Sequence, residues 1–134
     1  LCRMRDSKTE ETVTVERSFF QPYLSERDIP VAVLIDGFSA SGSEILAAAM
    51  QEHGRATLVG EKTAVVVDAA NLIVLPDGAG MNVTVERIIT PKGVALGQVG
   101  VTPDVIVPAN DQDYVLARDS QLFRALEIIK SKIK

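Results

Sequence analysis

The chain is predicted to be an α/β protein, and three consecutive stretches predict it. Pro30-Val31-Ala32-Val33-Leu34-Ile35-Asp36 is an apolar run rich in β-branched residues, led by a proline and unbroken up to Asp36, the pattern of a strand covered on both faces as in a parallel sheet. After the turn Gly37-Phe38, Ser39 to Ser43 offer several N-cap candidates. Ile45, Leu46, Ala49 and Met50 then recur at i, i+1, i+4 and i+5, which predicts a helix to about His53, ended by Gly54. Thr57-Leu58-Val59 is a second short strand. Strand, helix and strand in that order make a βαβ crossover, right-handed by strong precedent, and the first strand is expected at the centre of its sheet.

The remaining elements follow from charge and turn chemistry. Residues 1–28 carry eleven charged side chains, against seven over the much longer stretch 29–76. Residues 1–28 therefore read as a charged N-terminal arm, and 29–134 as the core. Within the arm, Thr12-Val13-Thr14-Val15 alternates as an edge strand would, whereas Asp6 to Glu11 is polar without a helical stripe. Asn71 to Leu75 and Met81 to Ile89 are β-rich and flank Pro76-Asp77-Gly78-Ala79-Gly80, where Asp-Gly supplies the positive φ of a hairpin turn. Thr90 to Pro108, punctuated by three glycines and three prolines, suits an ordered connector with one short strand, Val105-Ile106-Val107. Asp119 or Ser120 caps a final helix whose Leu122, Phe123, Ala125, Leu126, Ile128, Ile129 and Ile133 form one stripe for docking on the sheet. Lys130, Lys132 and Lys134 near its end suit the helix dipole.

Composition narrows the function classes. With 134 residues, 46% hydrophobic, this is ordinary globular material for one domain. A net charge of −4 leaves no basic stripe for a nucleic acid backbone, so no nucleic-acid partner is expected. No apolar run approaches the roughly 20 residues of a transmembrane span. The lone Cys2 makes no internal disulfide and no thiolate cluster, and neither a metal nor a cofactor is expected. The chain starts Leu1-Cys2-Arg3 with no initiator Met and no signal segment, so the core is expected to be truncated at its N-terminal side.

The sharpest local feature is Ser39-Ala40-Ser41-Gly42-Ser43-Glu44, where a buried strand ends and an apolar helix begins. A serine on the first turn of a helix sits at the positive end of the dipole, and the amide after it can point at a developing oxyanion, which favours acyl transfer. Ser41 to Glu44 is also the capping-box spacing, and pattern alone favours capping over nucleophile. A hydroxyl nucleophile needs a base. The only histidine, His53, lies twelve residues on along the same predicted helix, about 18 Å away at 1.5 Å per residue, which excludes a Ser-His-Asp triad. Nor do residues 37–41 complete the Gly-x-Ser-x-Gly elbow. Lys62 would need a lowered pKa that neighbouring Glu61 opposes. Glu52 reads as solvated helix surface, and Asp36 and Glu44 have no spaced partner that would make them a site.

Residues 31–36 and 38–56 closely resemble the carboxyl-terminal processing, or tail-specific, serine peptidases. The resemblance continues in register through Val59-Gly60-Glu61-Lys62-Thr63, Leu75-Pro76-Asp77-Gly78, Thr90-Pro91-Lys92-Gly93 and Gly100-Val101-Thr102-Pro103-Asp104, covering about residues 30 to 108. It implies a crotonase/ClpP-like core carrying the βαβ unit, the hairpin and the C-terminal helix. It also implies a serine-lysine mechanism in which the second serine of Ser-Ala-Ser attacks a peptide bond near a substrate's C-terminus. That serine maps to Ser41, and the Gly42 amide to one oxyanion donor; the other donor comes in the family from an upstream glycine. The family's threonine at the Thr63 position is followed by Phe-Gly-Lys-Gly, the lysine being the general base, with an orienting glutamine four residues after it. Here the segment reads Ala64-Val65-Val66-Val67-Asp68-Ala69-Ala70, so Val66 holds the base position and Ala70 the glutamine position. Loss of the amine base is expected to cost about 10²- to 10⁴-fold in rate, and the apolar run to dry the site.

Three readings follow from the resemblance. The chain is a pseudo-peptidase that binds polypeptide C-terminal segments by strand addition, for which an exposed sheet edge is needed. Alternatively it is active with a base from an upstream segment, or it is a non-catalytic module with an apolar cleft for a ligand. The resemblance implies an extracytoplasmic compartment such as the periplasm, and a possible homo-oligomer.

Overall fold

The computed structural model describes residues 3–6, 8, 9, 12–14 and 29–133. Strand β1 (Arg3–Asp6) and β2 (Thr12–Thr14) are followed by β3 (Ala32–Ile35), α1 (Gly42–Glu52) and β4 (Thr57–Gly60). Then come β5 (Ala69–Val74), β6 (Gly80–Ile89), α2 (Leu96–Val99), β7 (Val105–Ile106), α3 (Asp111–Val115) and α4 (Ser120–Lys132). Two sheets result, a parallel one in the order β3-β4-β7 and an antiparallel one in the order β2-β1-β6-β5.

The βαβ unit is β3-α1-β4, with Ala32 to Ile35 registered on Thr57 to Gly60. Its packing explains the apolar run: Leu58 and Val59 of β4 are wholly buried, and Leu58 clusters with Ile35, with Ala47 and Ala48 of α1, and with Val67, Ile88, Leu96 and Val101. Strand β3 does not lie at the centre of its sheet as expected. Among the described strands it is an edge, and β4 is central. A run of β-branched residues reports cover above and below a strand; it carries no information about what pairs beside it.

Gly60 closes β4 with φ of 130°, and a Cβ there would stand 2.0 Å from the Ile35 carbonyl oxygen, so only glycine fits this crossing. The hairpin β5-β6 turns at Gly78 (φ 84°), where Leu75 N–H donates to the Ala79 carbonyl at 2.8 Å. Helix α4 starts as expected, with Asp119 accepting from Leu122 N–H at 2.8 Å. It lies on β3 and β4, burying Ala125 and half-burying Ile128 and Ile129, whereas Leu122, Phe123, Leu126 and Ile133 are exposed. Only part of the predicted stripe docks. The dipole-suited end lies in the described chain through Lys132, whose Nζ donates to Thr57 Oγ1 at 2.6 Å; Lys134 lies outside the described residues.

The charged segment holds more than the edge strand expected from its alternation. Among the described strands β2 is that edge, over 12–14, with Val15 outside the described residues, but Arg3–Asp6 is a strand as well, pairing antiparallel with β6 from Arg3↔Ile89 to Asp6↔Glu86. With Met4 its one apolar residue, β1 shows no hydrophobic alternation to a sequence reading, and its pairing with β6 makes it a strand. Just beyond it the Asp6 carboxylate accepts from the N–H groups of Thr9 and Lys8, which hold its pKa below the usual value. The short helices α2 and α3 also went unread, being of only 4 and 5 residues. Among the described residues no helix is long and apolar enough to cross a membrane.

Candidate active site

Three turns build the site. The first leaves β3: the Asp36 carboxylate accepts from Phe38 N–H and the Ser39 hydroxyl, both at 3.0 Å, and Asp36 N–H donates to Ser39 Oγ at 3.1 Å. Beside this turn a cleft of about 320 Å³ opens between Asp36, Phe38, Glu61, Asn110, Asp113 and Arg118; Ser41 does not line it. The second turn is Ser41 itself, exposed at the N-cap of α1 with φ 57° and ψ −124°. An L-residue there stores on the order of 1–3 kcal/mol of backbone strain, which persists only where the surroundings over-determine it. Gly42 follows as the first helical residue, so its N–H has no intrahelical carbonyl to meet and lies beside the serine.

The third turn, 63–67, is held against the serine. Ser41 N–H donates to the Val66 carbonyl at 2.7 Å, and Ala64 N–H to the Ser39 carbonyl at 3.0 Å. Glu44, three residues after the serine, is wholly buried. Its carboxylate accepts from Ser41 N–H (3.1 Å), the Thr63 hydroxyl (2.5 Å), Val65 N–H (3.0 Å) and Val66 N–H (3.0 Å). Thr63 in turn accepts from Val101 N–H at 2.8 Å, tying in the Gly100-Val101 segment. The acidic half of the capping box between Ser41 and Glu44 is therefore present, and it reaches well past the box. Sequence reasoning set Glu44 aside for lack of a spaced carboxylate partner. The signal was there in the Ser-x-x-Glu spacing, but the loop it grips lies about twenty residues on and is visible only in three dimensions.

The chain belongs to peptidase family S41. That family's sequence model matches residues 3–107, more than three quarters of the chain. A carboxyl-terminal-processing protease of Picosynechococcus sp. is 43% identical over 105 residues, covering 76% of this chain and 25% of that protein. One of Synechocystis sp. is 46% identical over 80 residues, covering 60% and 19%. Among solved structures, a photosystem II D1 C-terminal processing protease is 40% identical, covering 58% of this chain and 20% of that one, at a TM-score of 0.50. A putative peptidase from Parabacteroides merdae covers 95% of this chain and 41% of its own at a TM-score of 0.74; at 18% identity it shows the shared fold. The fold is accordingly the mixed α/β, ClpP-like one of S41 peptidases. The chain spans about a quarter or less of the length of these curated relatives. The family match starts upstream of the motifs at 30–108, taking in β1 and β2.

Within this S41 segment, the structure brings Ser41, Gly42 and Val66 together and leaves the other candidates apart. His53 is the C-cap of α1, one helix length from Ser41, and Lys62 is exposed. No lysine or histidine nitrogen hydrogen-bonds Ser41 among the described residues. Val66 is 64% exposed, so the valine run does not dry the site as expected; only Val67 enters the core. Ala70 is exposed on β5. Val65 has φ 62°, where the resemblance places a glycine; a β-branched side chain in that region is a strained fit. Glu52, read as solvated surface, accepts from Lys92 N–H at 3.1 Å, and Asp104 accepts from Leu58 N–H and from Gln51 Nε2, both at 2.8 Å. The motifs around residues 90–93 and 100–104 thus fasten loops to the βαβ unit. Among the described residues no three His, Cys, Asp or Glu side chains converge on a point that would hold a metal ion.

Proposed function

We propose that this chain is part of a carboxyl-terminal-processing serine peptidase fold in which Ser41 holds the nucleophile position and Gly42 N–H one oxyanion donor. Peptide-bond hydrolysis has lapsed, and recognition of polypeptide C-terminal segments is kept. The observation that carries this reading is the contact at 2.7 Å between Ser41 N–H and the carbonyl of Val66. The residue set directly against the serine bears an isopropyl group, which accepts no proton. A general base must stand within about 2.6–3.2 Å of the hydroxyl or act through one water, and its loss costs about 10²- to 10⁴-fold in rate.

The retained backbone supports recognition. Ser41 and Gly42 are exposed, and β5, which begins three residues beyond Val66, is an edge among the described strands of its sheet. An extended tail paired along that edge would draw its affinity from backbone hydrogen bonds. The relatives' tail-processing names suggest a tail as ligand, and a compartment outside the cytoplasm is proposed with it.

The test uses the full-length protein and its Ser41→Ala variant with an unstructured polypeptide ending in apolar residues, cleavage being followed by mass spectrometry and binding by anisotropy. Binding without cleavage in both proteins is expected. Cleavage that disappears in the variant would overturn the loss of hydrolysis and point to a base supplied from elsewhere in the protein. Absence of binding would overturn the recognition role.

A further inference from the structure

We propose that Glu44 is the positioning residue of this site, a single buried carboxylate that sets where Ser41 stands relative to position 66. The inference rests on the reading of Ser41 as the functional serine and adds to it the group that holds the serine in place.

A capping glutamate needs only one bond, to the N–H of the N-cap residue. Glu44 makes that bond and three more, all to the loop 63–66, and its two oxygens divide the work. Oε1 takes the Thr63 hydroxyl and Val65 N–H, while Oε2 takes Ser41 N–H and Val66 N–H. Oε2 therefore bridges the two positions whose separation matters. The two residues with strained backbone here, Ser41 at φ 57° and Val65 at φ 62°, are both among its donors. An unpaired buried carboxylate would be costly; four donors and the N-terminal end of α1 stabilise this one. The donor array is also specific for a carboxylate. An amide at position 44 would turn an NH₂ group towards backbone N–H donors in either orientation, so glutamine keeps the volume and loses the Val65 contact in one orientation and those of Ser41 and Val66 in the other.

The test is Glu44→Gln in the full chain, read by NMR, with Leu58→Ala as a variant that lowers global stability from the core. In Glu44→Gln, amide exchange at Val65 and Val66 is expected to accelerate by about 10- to 100-fold relative to the Leu58 amide, the size of one lost hydrogen bond to a charged acceptor. Ser41 N–H, which also donates to the Val66 carbonyl at 2.7 Å, is expected to accelerate with the loop that carries that carbonyl. The Cα and Cβ shifts of Ser41 should lose their positive-φ signature. In Leu58→Ala that signature stays, because lower stability does not move a backbone angle in the folded state. The proposal is overturned if Glu44→Gln keeps the Ser41 signature, or if the three amides change no more than Leu58 does. The unaltered protein gives a check independent of whether the variant folds: the three amides should exchange as one group, and scattered protection among them would overturn the clamp. These readouts are conformational, so finding cleavage would sink the proposed loss of hydrolysis without touching this inference.

Discussion

Strain at Ser41 has a measurable size, and comparing glycine with alanine at that position isolates it. Both substitutions remove the hydroxyl, so whatever the hydroxyl contributes cancels between them. What remains is backbone. Alanine keeps the cost of φ 57°, ψ −124°, on the order of 1–3 kcal/mol, and glycine relieves it. Glycine is charged about 0.5–1 kcal/mol for its freer unfolded chain. Ser41→Gly should therefore be more stable than Ser41→Ala by about 1 kcal/mol. For 134 residues at about 2.1 cal/mol/K each, the unfolding entropy is about 280 cal/mol/K, so the gap corresponds to about 4 °C in Tm. Calorimetry and urea unfolding of the two variants side by side would measure it. At an ordinary helical position the order reverses, with alanine ahead by up to about 1 kcal/mol. Finding alanine ahead, or the two equal, would refute the claim that the serine is held in a strained turn.

Further outcomes follow from other contacts. Gly60→Ala should cost at least about 3 kcal/mol in urea unfolding, because its Cβ would meet the Ile35 carbonyl 2.0 Å away and neither backbone can yield cheaply. Asp104→Ala leaves Leu58 N–H without its acceptor and should lower stability by about 1–3 kcal/mol; a change under 0.5 kcal/mol, on the order of surface noise, would show that the 100–104 motif does not fasten β4. Val66→Lys with Ala70→Gln is expected to be required before peptide hydrolysis appears, and peptidase assays of each single variant and the pair would show whether one suffices. Equal activity in the unaltered protein would contradict the role given to Val66.

How much of this was legible follows from what each signal encodes. The βαβ unit, the hairpin and α4 announced themselves because apolar periodicity, Asp77-Gly78 and the Asp119 cap are local, and local interactions form the same way wherever the segment ends up. Strand β1 was hidden because Arg3 to Asp6 has no apolar alternation and is a strand by virtue of pairing with β6. The edge placement of β3 was hidden for the converse reason, since its apolar faces say nothing of its sides. At the site, the family resemblance and not any local pattern marked Ser41, Gly42 and the positions of Val66 and Ala70.

The sequence by itself determined the α/β class, the serine at a strand-helix junction and the absence of lysine at position 66, because these depend on residue identity and short-range pattern. Only the tertiary structure decided that Val66 faces solvent with its carbonyl on Ser41, and that Glu44 is the buried centre of the site. Those depend on how a loop some twenty residues downstream folds back over the helix start. A carboxylate's partners there are backbone N–H groups, which every residue carries and which no sequence pattern marks.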